Sequence, residues 1–166
     1  ITRFLFALLA ALLEATEDSF VLLTCWAEGE LPPTLLHPRL LTITRPFLKS
    51  GALNVMRQNR ILPGVMRDTG AALEFNVNPI GGWRGAWPRI LTVHDLYLDN
   101  MPRDYALRHR LVWKILFPRV ARSAAAIVAP SESTRRDLIA HYPFVRDRIV
   151  IVPEAPAFSQ TGAAQP

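Results

Sequence analysis

A histidine and an aspartate stand together at the point where a predicted strand ends. Ile90, Leu91 and Val93 form a short apolar run rich in β-branched residues, and His94 and Asp95 follow it. In an open α/β sheet, ligands bind outside the carboxyl ends of the strands. A titratable pair at this position is therefore well placed to act on a bound ligand. Two interpretations are open: the pair belongs to a site, or Asp95 caps a turn and His94 is a hydrogen-bonded loop residue.

A serine occupies a second predicted junction between a strand and a helix. Its frame is Ala129-Pro130-Ser131-Glu132-Ser133, which lacks the glycines that let a nucleophile elbow tighten. Ser131 is therefore predicted to cap the helix, with Glu132 facing the positive end of the helix dipole.

Metal and nucleotide signatures are missing from the sequence. His37, His94, His109 and His141 lie far apart, and none has the i, i+4 partner with a nearby carboxylate that a helical zinc site requires. No P-loop and no complete Gly-x-Gly-x-x-Gly pattern occurs. The single Cys25 excludes an internal disulfide and a multi-cysteine zinc site, and its apolar surroundings predict a buried, inert thiol.

The composition favours one globular domain with a basic surface. The chain has 166 residues, half of them hydrophobic, and a formal net charge of +5, which permits phosphate-bearing partners, nucleic acid or an anionic membrane. Nucleic acid is not expected, because no reading motif accompanies the charge. A basic segment with aromatics favours either an anionic membrane surface or a solvated outer face. Its charges are predicted to be scattered around the helix: Arg103, Arg108, Arg110, Lys114, Arg119 and Arg122.

The elements that position these residues alternate between helix and strand. Apolar runs and helical periodicities predict helices at 2–15, 54–66, 104–121 and 131–141, and strands at 19–25, 40–44, 71–77, 90–93, 124–129 and 148–152. Pro63-Gly64 is expected to end the second helix and Pro118 to kink or shorten the third. The apolar face of that third helix is predicted to consist of Tyr105, Val112, Leu116 and Val120.

The predicted fold class is α/β, a Rossmann-like, doubly wound and mainly parallel sheet with helices on both faces. The segment 78–88 is rich in Gly and Trp, which is typical of a lid or of a stretch where a ligand approaches the backbone. We expect one domain over 1–156 and a linker or disordered tail over 157–166. The apolar run near the start is too short to span a bilayer, and no small-residue cleavage site follows it.

Several stretches carry a resemblance to a known family. The stretch 90–96, Ile-Leu-Thr-Val-His-Asp-Leu, is similar to the strand ending in His-Asp-Leu of the retaining family 4 glycosyltransferases, which have the GT-B fold. The stretch 126–138 resembles that family's strand-to-helix turn, and 148–153 resembles its last strand before the hinge. Weaker likenesses lie at Gln58 with Leu62-Pro63 and at 1–4, so the match covers nearly the whole chain.

The resemblance concerns the N-terminal, acceptor-side half of such an enzyme. The sequence lacks the first strand with its glycine turn, expected before Ile1, and the second domain that binds the nucleotide-sugar and supplies a key Glu. The resemblance implies that His94 hydrogen-bonds the donor sugar, and that the loops 78–83 and 97–100 face the acceptor. His94 is therefore the candidate catalytic residue. The candidate substrate-binding residues are Asn78, Gly81, Gly82, Asp95, Tyr97 and Ser131.

The expected function is transfer of a sugar, for example a mannose-like hexose, from a nucleotide-sugar to a glycan or lipid-linked acceptor. The isolated half is expected to be inactive without a C-terminal GT-B domain, and no metal or other cofactor is expected. The lack of a signal and of disulfides predicts a cytoplasmic protein, peripheral at the inner face of the membrane. The alternative is a non-catalytic module that binds a partner domain, a glycan or an anionic membrane surface.

Overall fold

Helices and strands alternate along the part of the chain that the structure describes. The structure is a computed structural model, and it describes residues 2–26, 28–46, 48 and 51–154. The tail predicted over 157–166 lies outside the described residues. The helices are α1 (Thr2–Ala15), α2 (Gly51–Thr69), α3 (Tyr97–Asn100), α4 (Leu107–Ser123) and α5 (Glu132–His141). The strands are β1 (Phe20–Thr24), β2 (Leu40–Thr44), β3 (Glu74–Asn76), β4 (Arg89–Thr92), β5 (Ala126–Ala129) and β6 (Ile149–Ile151). Short 3-10 turns join several of them.

The strands pair in parallel in two sheets. β1 pairs with β2, and a four-stranded sheet has the order β3-β4-β5-β6. In the larger sheet Leu91 lies opposite Asn76 on one side and Ile127 on the other. Parallel strands need crossover connections, which helices usually supply. The prediction of an α/β, Rossmann-like fold with parallel strands is thus confirmed, with the strands divided between two sheets.

The first helix has the predicted bounds, because its Leu- and Ala-rich run has a high helix propensity. Leu9 and Leu13 are buried, and they pack in a small cluster with Leu22 of β1. The guanidinium of Arg39 donates to the carbonyl oxygens of Leu13 and Thr16 at the end of the helix. A cation at this end satisfies carbonyl groups that have no partner within the helix.

The larger core lies around the four-stranded sheet and fixes the end of β4. Leu91 and Val93 have no exposed surface, and they belong to the same buried cluster as Phe117, Ile127 and Leu138. The buried core therefore fixes the position of the strand end that His94 follows.

Two helices continue through prolines that were expected to end or shorten them. Pro63 lies inside α2, which ends at Thr69, so the prediction of an end at Pro63-Gly64 was wrong. Pro118 lies inside α4, which continues to Ser123. Buried residues hold the turn on either side of each proline, and this packing outweighs the lost backbone hydrogen bond. They are Leu62 and Met66 in α2, and Phe117 and Val120 in α4.

The apolar face predicted for the long basic helix was also largely wrong. Of the four residues named for it only Val120 is buried, and Tyr105 precedes the helix and is 37% exposed. The face that packs on the core consists of Trp113, Phe117, Val120 and Ala121. Cys25 likewise differs from expectation, because it follows the last residue of β1 and is exposed.

Candidate functional site

A cleft opens at the carboxyl ends of β3 and β4, the position where open α/β sheets bind ligands. The two strands are parallel neighbours, so the loops that follow them meet at one edge of the sheet. The cleft has a volume of about 260 Å³. Its lining residues are Asn78, Pro79, Ile80, His94, Asp95, Tyr97, Leu98, Tyr105 and Trp113.

His94 is held by contacts to both nitrogens of its ring. Nδ1 lies 2.5 Å from Oε1 of Glu154, and Nε2 lies 3.2 Å from the carbonyl oxygen of Val77. The edge of the ring meets the ring of Phe4 at a centroid distance of 5.2 Å. The side chain is 17% exposed, so it is anchored in the wall of the cleft but still reached by solvent.

The partners of His94 restrict what it can offer a ligand. A carboxylate oxygen and a carbonyl oxygen both accept hydrogen bonds, and a neutral imidazole has one N–H to donate. A neutral His94 can therefore satisfy only one of the two partners, whereas a protonated His94 donates to both. In either state, His94 has to release one present contact before it can donate to a sugar hydroxyl.

Asp95 and Asn78 each stabilise the turn in which they lie. Oδ1 of Asp95 accepts the backbone N–H of Tyr97 at 3.2 Å, and Oδ1 of Asn78 accepts that of Ile80 at 3.0 Å. Such bonds to the amide two residues on are typical of Asx turns. The interpretation of Asp95 as a turn residue is confirmed. Both side chains are exposed and line the cleft, so the turn role and a ligand role are compatible.

Ser131 caps α5, as predicted, and the cap is linked to His94. Oγ of Ser131 accepts the backbone N–H of Thr134 at 3.1 Å. The hydroxyl of Thr134 donates to the carbonyl oxygen of His94 at 3.2 Å. Ser131 does not line the cleft, and its contribution here is to tie the start of α5 to the residue at the end of β4.

Comparison with known families identifies the family of the chain. Residues 2–155 match glycosyltransferase family 4. The chain belongs to this family. Membership implies a nucleotide-sugar donor and an acceptor as the ligands of the fold. No curated protein sequence matches the chain.

The aromatic wall of this family 4 domain is fixed by one carboxylate. Asp99 accepts from Nε1 of Trp113 at 2.7 Å and from the hydroxyl of Tyr142 at 2.9 and 3.0 Å. Burial raises the pKa of Tyr142, and the hydrogen bond to Asp99 raises it further, so the hydroxyl stays protonated and donates. The Trp113 ring stacks on Phe117 at a centroid distance of 4.4 Å. These contacts fix the position of the Trp113 ring in the cleft wall.

The glycine-rich loop packs on a buried polar network rather than lining the cleft. Gly81 and Gly82 are buried, and neither is among the lining residues. A Cβ at Gly81 would lie 2.5 Å from the side chain of Asn76, and one at Gly82 would lie 2.9 Å from Oε1 of Glu74. Only a residue without a side chain allows the backbone this close, so the packing explains both glycines.

Glu74 and Arg89 form the centre of that network. Oε2 of Glu74 accepts from Nε of Arg89 and from Nε1 of Trp87, both at 2.7 Å. Oε1 accepts from Asn76 at 2.7 Å. Arg89 also donates to Oγ of Ser123 at 2.8 Å and to the carbonyl oxygen of residue 84 at 2.9 Å. The network ties the segment after β3 to the start of β4 and the end of α4.

The structure brings together four of the seven predicted site residues: His94, Asp95, Asn78 and Tyr97 line one cleft. Sequence reasoning did not single out Asp99, Trp113 or Glu154 as site residues, although two of them contact cleft residues and Trp113 lines the wall. The apolar face predicted for this helix omitted Trp113, so its periodicity provided no signal for it. Glu154 lies 60 residues after His94, and no local pattern connects them.

Within the described ranges, no group of three or more His, Cys, Asp or Glu residues is placed to hold a metal ion. The helices of those ranges include none that is both long and apolar enough to cross a bilayer.

Proposed function

We propose that this family 4 domain is the acceptor-side half of a retaining glycosyltransferase. The enzyme would transfer a sugar, for example a mannose-like hexose, from a nucleotide-sugar to a glycan or lipid-linked acceptor. A C-terminal GT-B domain would bind the donor, so the isolated half is inactive, and no metal takes part. The observation that carries the proposal is the cleft at the ends of β3 and β4, where His94 lies among polar and aromatic side chains.

The lining of the cleft suits a sugar ring. Asn78 and Asp95 provide oxygen and nitrogen atoms for hydroxyl groups, and both side chains are exposed. Tyr97 and Tyr105 are 53 and 37% exposed, and they present aromatic surface beside those polar groups. Pockets that bind small molecules combine apolar and aromatic walls with a few polar groups that fix orientation.

His94 would act on the side of the cleft that faces the donor. Glycosyl transfer needs groups that hold a sugar hydroxyl and stabilise the charge that develops on the departing phosphate. In this proposal the sugar displaces one present partner of His94, either Glu154 or the Val77 carbonyl, and accepts its N–H. Ser131 contributes through the Thr134 bond that holds the His94 backbone, and Gly81 and Gly82 through the position of the loop.

The acceptor role is tested by Tyr97→Ala in the enzyme assembled with its donor-binding domain. Because Tyr97 is exposed in the cleft, its removal should raise the KM for the acceptor about ten-fold, equivalent to one lost contact of about 1.4 kcal/mol. The KM for the nucleotide-sugar should stay unchanged. Phe75→Ala is the matched control, since Phe75 is an exposed aromatic that does not line the cleft. Equal effects of the two variants on acceptor KM would contradict the proposal.

A non-catalytic binding module is the second candidate, and one observation favours it. Both ring nitrogens of His94 already have partners, so the side chain offers no unengaged N–H in this conformation. Transfer assays decide between the two: a module shows no release of nucleotide from any nucleotide-sugar, even with a donor-binding domain supplied.

We further propose that the protein works in the cytoplasm at the inner face of a membrane.

A further inference from the structure

The outward face of α4 carries an apolar stripe. Leu107, Leu111 and Ile115 recur at every fourth position and are 73, 57 and 46% exposed. Residues four apart share one face of a helix, so the three side chains form one continuous row. Trp113 and Phe117 lie on the opposite side of the helix and are buried in the core. The stripe is therefore separate from the face by which α4 packs on the sheet.

Basic residues surround this stripe. The sequence of α4 contains five Arg or Lys residues and no Asp or Glu. On a helix of 3.6 residues per turn, Lys114 flanks the stripe on one side and Arg108 on the other. Arg110 is half-buried, and the other four basic residues of the helix are exposed. These four are Arg108, Lys114, Arg119 and Arg122.

Exposed apolar groups extend the surface at both ends of the helix. Before α4, Met101 and Tyr105 are 53 and 37% exposed, and Tyr105 also lines the cleft. Near its end, the guanidinium of Arg122 lies 4.5 Å from the centre of the Phe144 ring, which is 39% exposed. Asp104 is the acidic residue closest to the stripe in the sequence. Exposed apolar and basic residues thus occur along the helix and in the segment before it, which includes the cleft residue Tyr105.

We propose that the outward face of α4 docks on an anionic lipid bilayer. A helix with an apolar stripe between basic residues lies in the plane of the membrane, with its aliphatic groups at the boundary of headgroups and acyl chains. The 17 residues of α4 extend about 25 Å at 1.5 Å per residue, and its Arg and Lys side chains would contact lipid phosphates. This inference rests on the membrane location proposed above; docking is independent of which sugar is transferred, and it would bring the cleft close to a lipid-linked acceptor.

A second copy of the chain fits this surface less well. A two-fold interface places the same patch of both copies face to face. The four exposed basic residues of one copy would then oppose those of the other, and like charges across an interface are unfavourable. The centres of protein interfaces are also depleted of charged residues such as Lys, whereas Lys114 lies beside the stripe.

Sedimentation of the whole chain with lipid vesicles tests the proposal. The chain should bind vesicles of phosphatidylcholine with phosphatidylglycerol at low salt, and bind weakly to phosphatidylcholine alone. The double variant Leu111→Gln, Ile115→Gln should weaken binding at least about ten-fold, because two aliphatic side chains that would be partly buried in the bilayer are lost. The double variant Arg108→Gln, Lys114→Gln should weaken it about five-fold per charge, and this loss should shrink as salt screens the charges.

The double variant Leu36→Gln, Met56→Gln is the matched control. These side chains are 62 and 61% exposed on other parts of the chain, and their replacement should leave binding unchanged. Far-ultraviolet circular dichroism checks that every variant remains folded. Absence of wild-type binding at low salt would overturn the proposal, as would equal losses in the stripe and control variants. A stripe-dependent dimer without vesicle binding would overturn it in favour of a second copy.

Discussion

Two acid–base pairs on the four-stranded sheet are built in opposite ways. Arg89 and Glu74 lie opposite each other on β4 and β3, with side chains 1 and 5% exposed. His94 and Glu154 meet at the end of β4, with side chains 17 and 41% exposed. The first pair has further partners for both members inside the protein, whereas the second lies at the wall of an open cleft.

The difference teaches which pair holds the fold and which is available for chemistry. Removing one member of a buried ion pair leaves an uncompensated charge in a poorly solvated place. An exposed pair contributes little, because water replaces the lost partner. The Arg89–Glu74 pair is therefore expected to govern stability, and the His94 pair is free to exchange partners when a ligand enters.

The largest effect on stability is expected from Glu74→Ala. The variant leaves the Arg89 guanidinium without its carboxylate partner and removes the acceptor for Trp87 and Asn76. The free energy of unfolding should therefore fall by about 3–5 kcal/mol. Urea unfolding followed by circular dichroism measures the change. The control is Asp68→Ala, which breaks an ion pair whose Asp68 side chain is 72% exposed. A loss no larger than that of the control would show that the buried pair does not hold the sheet.

A smaller loss is expected from Gly81→Ala. Its Cβ would lie 2.5 Å from the Asn76 side chain, and overpacking of this kind costs about 1–3 kcal/mol. Gly64→Ala is the control of opposite sign. Gly64 lies inside α2, where an added Cβ meets only the tip of Arg67 at 3.9 Å, and Ala in a helix is more stable than Gly by about 0.5–1 kcal/mol. The midpoints of thermal unfolding should shift down for Gly81→Ala and up for Gly64→Ala. An unchanged midpoint for Gly81→Ala would contradict the close packing of the loop.

The smallest effect is expected from Glu154→Gln. The pair with His94 is partly exposed, so the free energy of unfolding should fall by no more than about 1 kcal/mol. Chemical denaturation is the measurement, and Glu132→Gln, which changes the exposed pair with Arg135, is its control. A loss comparable to that of Glu74→Ala would abolish the distinction between the two pairs.

Local signals predicted the elements of the fold well and their bounds less well. The Leu- and Ala-rich run specified α1 at Thr2–Ala15, and the contiguous apolar runs specified the buried strands. The helix end predicted at Pro63-Gly64 was wrong, because proline is a local signal and the packing that overrides it comes from distant residues. Leu62, for example, lies 3.0 Å from the position of a Cβ on Gly82, across a turn and a strand.

The candidate site was predictable to the extent that it is local. The strand ending in His94 and Asp95 located the cleft, and the frame around Ser131 identified the cap. Glu74 was overlooked, although Glu74 and Asn76 alternate with Phe75 in a strand, a pattern that places two polar residues on the inward face. Their partner Arg89 begins the next strand, and only the parallel register shows that the two charges meet.

The central claim is that His94 in the cleft takes part in sugar transfer, whereas the buried network of Glu74 and Arg89 stabilises the fold. The most direct test is the turnover of His94→Ala in the enzyme assembled with its donor-binding domain. His109→Ala, which removes an exposed histidine that does not line the cleft, is the control. We predict a fall in turnover of at least about ten-fold for His94→Ala, since removing one preorganised donor costs about 10²–10³ in rate, with little change in unfolding and none in the control. Unchanged turnover of folded His94→Ala would contradict the account.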